Sequence, residues 1–147
     1  MSDSLVSIVI PSYQRPESLR QCLTSIERHV DEPHETLVVY VADDEATARL
    51  AKQFDVRLIE QPRRDGFVKA ANLGFRQAKG RYLIQINDDC EVLPHSIANG
   101  VRFLEAPGHE GVGQAAFFHN SIVRRNIFAQ IQLEEEWFYV CQVRGLC

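Results

Sequence analysis

The stretch RYLIQINDDCEVLP, Arg81 to Pro94, opens as a hydrophobic strand and closes in acids. Tyr82, Leu83, Ile84 and Ile86 read as a buried β-strand, and Asn87, Asp88 and Asp89 follow without a break. Two carboxylates side by side repel. Partly desolvated, they cost free energy unless a cation or hydrogen-bond donors compensate. A strand of this kind belongs in a fold whose strand ends meet a ligand.

The same plan recurs upstream. Val6 to Ile10 (VSIVI), β-branched at every position but Ser7, suits a strand covered on both faces. The turn PSYQRP follows, and Pro16 fits the first position of a helix with Glu17 and Ser18 in its first turn. Leu19, Cys22, Leu23, Ile26 and Val30 then form one apolar helical face. Leu37 to Val41 reads as a second strand ending in Asp43-Asp44, Glu45 to Phe54 as a short helix, and Val56 to Gln61 as a third strand. Phe67, Ala70, Ala71, Gly74, Phe75 and Ala78 keep helical spacing from Gly66 onward. Their small side chains imply close packing on a sheet, and Gly80 is placed as the helix stop. Beyond the opening stretch, Pro94 to Leu104 predicts a helix and Gly111 to Phe118 a fifth strand. This alternation predicts an α/β fold, a doubly wound and mostly parallel sheet with helices on both faces. Ile122 to Gln132 and Trp137 to Val143 read as two further strands, a small antiparallel C-terminal extension. The expected organisation is a single domain over residues 1–147, with a core over 1–120 and the extension over 121–147.

Composition narrows the function. The 147 residues suffice for a core without disulfide staples, and 45% hydrophobic with 24% charged residues is ordinary for a globular protein. A net charge of −4 argues against nucleic acid or an anionic membrane as partner. The four cysteines, Cys22, Cys90, Cys141 and Cys147, show no metal or disulfide spacing and read as free thiols. The N-terminus lacks the marks of a signal peptide, and no apolar run spans a bilayer, so the expected location is the cytoplasm. Unless a further segment covers them, the apolar residues of the tail, Ile127, Trp137, Phe138 and Tyr139, invite self-association into a homo-oligomer.

In open parallel sheets, ligands bind outside the carboxyl ends of the strands. Right-handed crossovers bring Ser12-Tyr13, Asp43-Asp44 and Asn87-Asp88-Asp89 to one rim. Carboxylates there suit Mg²⁺ or Mn²⁺ bridging to phosphate oxygens. Tyr13 can stack on a base, and a further acid can accept hydrogen bonds from base or ribose. Each feature also has an ordinary explanation. Asp44 can cap the helix that follows it, Asp88 and Asp89 can serve a turn, and Tyr13 can simply pack.

Taken in order, VSIVIPSYQRPESLRQCLTSI, VADD and GFVKAANLGFRQAKGRYLIQINDDCEV resemble the inverting GT-A glycosyltransferases of family 2. The resemblance rests on a P-x-Y-N-R-like turn, a D-D-G-S-like turn, an N-x-G-x-x-x-A-x-G helix and a D-x-D motif, over about the first hundred residues. Two motifs are altered: Asn87 replaces the first Asp of D-x-D, and the second turn reads D-D-E-A. The resemblance implies transfer of a sugar from a nucleotide-diphospho sugar, a UDP-sugar by preference, to a saccharide or other hydroxyl acceptor. It implies that Pro11, Ser12 and Tyr13 line the nucleoside pocket and that Asp43 or Asp44 binds the base. Gly66, Lys69, Asn72 and Asn87 would lie near the nucleotide, Asp88 near ribose or sugar, and Asp89 on the Mn²⁺ or Mg²⁺ that holds the diphosphate. Family members continue into an acceptor segment carrying a catalytic carboxylate. Here the dense downstream acids are Glu134, Glu135 and Glu136, with Glu135 the candidate base. The alternative is a non-catalytic nucleotide-sugar-binding module on the same fold. GVGQAA, Gly111 to Ala116, imitates a dinucleotide fingerprint but begins a late strand, and no P-loop motif occurs.

Overall fold

The computed structural model of the chain describes residues 6–110, 114–117 and 120–124. Among them the order is β1 (Val6–Pro11), α1 (Pro16–His29), β2 (His34–Val41), α2 (Glu45–Ala51), β3 (Arg57–Gln61), α3 (Phe67–Gln77), β4 (Tyr82–Gln85), α4 (Ser96–Glu105), β5 (Gln114–Phe117) and β6 (Asn120–Arg124). The six strands make one sheet in the order β3-β2-β1-β4-β6-β5. Strands β3, β2, β1 and β4 are mutually parallel, with Ile8 opposite Thr36 on one side and Ile84 on the other.

Alternation along each strand sorts the core into two layers. Val6, Ile8, Ile10, Val38, Tyr82 and Ile84 pack with Leu19, Cys22, Leu23 and Ile26 of α1, Leu50 of α2, and Ile97, Val101 and Leu104 of α4. Val9, Leu37, Val39, Ile59 and Leu83 pack on the opposite face with Ala70, Ala71 and Phe75 of α3. The handedness of crossovers explains this division. Stepping outward from β1 to β2 to β3 puts α1 and α2 on one face; returning across the sheet to β4 reverses direction and puts α3 on the other. On that face α3 approaches closely. A Cβ added at Gly74 would lie 3.1 Å from Val39 Cγ2 and closer still to Val9 Cγ1.

Of the antiparallel extension the described part is β6, which threads between β4 and β5, antiparallel to both, so that β5 is the edge among the described strands. Short strands carry no record of their pairing order in their periodicity. One expectation needs correction: Gly80 does not stop α3. The helix closes at Ala78 in an extended conformation, and Gly80 lies against the start of β1, where its N–H donates to Ser7 Oγ at 2.7 Å. A Cβ there would meet Ser7 N at 2.6 Å and the Val6 carbonyl carbon at 2.8 Å, so the position admits only glycine.

Neither Cys22 nor Cys90 is in a disulfide, and burial pushes the Cys22 thiol up to about 12. Cys141, Cys147 and the tail aromatics lie outside the described residues. No described helix is long and apolar enough to cross a membrane.

Candidate functional site

Strand order reverses between β1 and β4: the chain leaves β1 toward β2 and leaves β4 toward the other side. Their carboxyl ends therefore open a crevice. Ile86 N–H donates to Val9 O at 3.0 Å and Ser12 N–H to Val39 O at 2.9 Å, which carries the ladder to the rim. There Ser12 Oγ donates to Asp88 Oδ2 at 2.8 Å across the crevice. Arg15, at the N-cap of α1, places its Nη1 3.6 Å from Asp88 Oδ1 and 3.3 Å from Asp89 Oδ2. One guanidinium nitrogen thus sits between both carboxylates. Burial pushes the Asp88 carboxyl up; the Ser12 hydroxyl and Arg15 draw it down, the Asp89 charge adds to the rise, and the balance stays above the ordinary value. Asp89 is half-exposed, its side chain 53% accessible.

Asp44 has a different environment. Its carboxylate accepts from Thr47 N–H at 3.1 Å, Thr47 Oγ1 at 2.6 Å and the backbone N–H of Gln14 at 2.5 Å. It caps α2 and ties that helix to the loop after β1. Gln14 holds a left-handed φ of 54°, sparsely populated for a side chain of this kind, and its bond to Asp44 offsets that strain. Burial alone would raise the Asp44 carboxyl; the Gln14 and Thr47 donors outweigh it and hold it below the ordinary value. Asp44→Ala is expected to destabilise the chain by about 2 kcal/mol at neutral pH. Because the folded pKa is depressed, this stabilisation is complete above the unfolded carboxyl value, about 3.9, and is lost as pH falls through the lower folded value. Urea melts of both proteins from pH 7 to 2.5 should show the gap closing only below about pH 4; a gap that stayed constant would contradict the depressed carboxylate.

A cleft of about 230 Å³ opens beside the corner. Its lining includes Pro11, Ser12, Tyr13, Arg15 and Asp88 from the ends of β1 and β4, Val39, Val41 and Gln61 from β2 and β3, and Arg64, Gly66, Phe67 and Ala70 at the start of α3. The Arg64 guanidinium lies 4.5 Å from the centre of the Tyr13 ring. Gly66 has φ +94°, which lets α3 begin at the cleft wall without a side chain.

Of the expected site residues, the structure brings Pro11, Ser12, Tyr13, Gly66 and Asp88 into one cleft lining, with Asp89 joined to it through Arg15. Asp43 is exposed at the end of β2, whereas Asp44 faces inward with the three donors described above. Lys69 is exposed and Asn72 buried on α3, both outside that lining. Asn87 turns its Oδ1 toward Gln85 Nε2 at 2.8 Å. Glu134, Glu135 and Glu136 lie outside the described residues. Arg15 and Arg64 are additions to the expected site. Arg15 closes the P-x-Y-N-R-like turn and Arg64 reads as a solvated loop arginine that could reach a diphosphate; the place of each depends on contacts made across the fold.

The sequence pattern described as glycosyl transferase family 2 matches residues 7–143. The chain belongs to that family. A relative from Haloferax volcanii, glycosyltransferase AglE, is 25% identical over 142 residues, covering 88% of this chain and 47% of AglE. The mannosyltransferase PcManGT from Pyrobaculum calidifontis, solved with GDP-Man and Mn²⁺, superposes with a TM-score of 0.73 at 20% identity, covering 87% of this chain and 46% of its own. TarS 1-349 of S. aureus gives 0.70 at 15% identity, covering 89% and 50%, and a TarS complex with UDP-GlcNAc gives 0.61 at 18%, covering 68% and 31%. The family 2 domain described here therefore has the GT-A fold, and the chain spans half or less of the length of these relatives.

Proposed function

We propose that the chain binds a nucleotide-diphospho sugar in the cleft and serves its transfer, with inversion, to an acceptor hydroxyl. The observation that carries this reading is the Ser12–Asp88–Arg15–Asp89 corner, set at the switch point of the sheet and beside the cleft. The base would enter between Tyr13 and the ends of β2 and β3, with exposed Asp43 as the acid open to it. Arg64 would leave or share the Tyr13 face. The family resemblance favours a UDP-sugar as the donor. Complexes of the structural relatives with GDP-Man and UDP-GlcNAc support the donor class.

The corner also fits a divalent ion. Asp89 is exposed, and Asp88 Oδ1 is free of the Ser12 bond, which uses Oδ2. Two carboxylates, with water and diphosphate oxygens completing the shell, are an ordinary Mg²⁺ or Mn²⁺ environment. Such an ion would offset charge developing on the departing diphosphate. The chain's own share is to orient. Ser12 fixes the rotamer of Asp88, and Arg15 lies within reach of a diphosphate entering the cleft. Asp88 is the sole acid among the described cleft-lining residues, so deprotonation of the acceptor falls to a carboxylate elsewhere, for which Glu135 stands as candidate. That same observation favours a second reading, a nucleotide-sugar-binding module without turnover. Donor hydrolysis or transfer by the purified chain separates the two.

Titration calorimetry with UDP and with GDP, each with and without Mn²⁺, tests the reading. Binding of UDP should strengthen at least about tenfold with Mn²⁺. Absence of any metal-assisted binding of either nucleotide would sink it.

A further inference from the structure

We infer that Arg15 is a built-in counter-ion which masks the Asp88–Asp89 corner against bare divalent cations, so that cation and diphosphate bind together rather than in turn. The inference rests on the function proposed above but makes its own claim about the protein without nucleotide.

The geometry is specific. A cation shared by Asp88 Oδ1 and Asp89 Oδ2 must lie between those two atoms. Arg15 Nη1 is already there, 3.6 Å from one and 3.3 Å from the other. An Mg²⁺ or Mn²⁺ ion takes oxygen ligands at about 2.1 Å. Both carboxylates would then close on the ion, and the space for a guanidinium nitrogen would vanish. Two positive groups cannot share one such gap without mutual repulsion, so a bare ion has to displace Arg15 into solvent. The acids that pair with Arg15 among the described residues are these same two.

A diphosphate changes the balance. It brings oxygens that match the planar fork of a guanidinium and receive it bidentately. Arg15 lines the cleft as well as touching the corner, so it can turn from carboxylate to diphosphate while its backbone stays at the head of α1. Displacement then costs little, because the released guanidinium acquires a new anion as the ion takes the old ones. The nucleotide thus supplies both ligands for the ion and a partner for the displaced arginine. Arg15 is a positioning residue in this scheme. It makes free cation a poor ligand and loaded nucleotide a good one.

Manganese titration followed by electron paramagnetic resonance, in which the free aquo ion alone gives the strong signal, tests this directly. The wild-type chain is compared with Arg15→Gln and Arg15→Lys, each without nucleotide and with saturating UDP. The Arg15 side chain is 58% exposed, so Arg15→Gln should fold, which circular dichroism and a thermal melt verify. Arg15→Gln should bind Mn²⁺ alone about tenfold more tightly than wild type, and UDP should then improve Mn²⁺ binding less than it does in wild type. Arg15→Lys, which keeps the charge, should bind bare Mn²⁺ as weakly as wild type. Unchanged or weaker Mn²⁺ binding by Arg15→Gln without nucleotide overturns the inference. If UDP leaves Mn²⁺ binding unaltered in wild type, the functional proposal fails, while the effect of Arg15→Gln on the bare ion still decides the masking.

Discussion

Asp89→Ala should erase the Mn²⁺-dependent part of UDP binding, a loss of at least about tenfold in affinity under saturating metal, while leaving the fold intact. Its side chain is half-exposed and its described partner is Arg15, itself largely in solvent, so their ion pair contributes little to stability. A melting temperature close to that of wild type is therefore expected, together with calorimetric titrations that no longer respond to Mn²⁺. The neighbouring Asp88 is less informative as a first test. It is buried and accepts from Ser12, so its removal would leave a buried hydroxyl without its partner and blur binding with stability. Retention of the full metal-dependent increment in Asp89→Ala would move the ion away from this corner.

The second large effect concerns the floor of the fold. Gly80→Ala should destabilise the chain by about 3 kcal/mol or more, enough to unfold a marginal domain. The added carbon would press on the backbone of β1, at 2.6 Å from Ser7 N and 2.8 Å from the Val6 carbonyl carbon, and backbone cannot swing aside as a side chain can. It would also disturb the bond from Gly80 N–H to Ser7 Oγ, whose hydroxyl in turn donates to Glu35 Oε1 at 2.6 Å. Denaturant titration measures the change. A variant within about 0.5 kcal/mol of wild type, the range of an indifferent surface substitution, would show that β1 and the loop before β4 are not packed as described.

What could be read in advance follows from which forces are local. The run Val6 to Ile10 declares a two-sided strand because all five residues are apolar or β-branched or, like Ser7, small enough to be buried with a partner. The spacing of Leu19, Cys22, Leu23 and Ile26 declares one face of α1, and those four residues are buried together. Asp44 is legible as a cap because a helix follows it directly; its hold on Gln14 is not, since the two lie 30 residues apart. Arg15 illustrates the limit. It reads as a solvated turn residue until β4 is laid beside β1, and the acids it meets are 73 and 74 positions away. The glycine at position 80 reads as a helix stop because its real constraint, contact with the first strand, leaves no mark in its neighbours.

Strand β1 pairs in parallel with β4, and the Ser12–Asp88 bond joins positions 76 apart. Closing so long a loop exacts its entropy before any local reward arrives, which places this topology among the slower-folding domains. The hairpin-like contact of β5 with β6 closes a short loop, whereas pairing of the first and fourth strands closes one that holds three helices and two strands. Ligand affinity should consequently appear only in the last kinetic phase of refolding, so that a chain arrested midway would hold much of its secondary structure and none of its recognition.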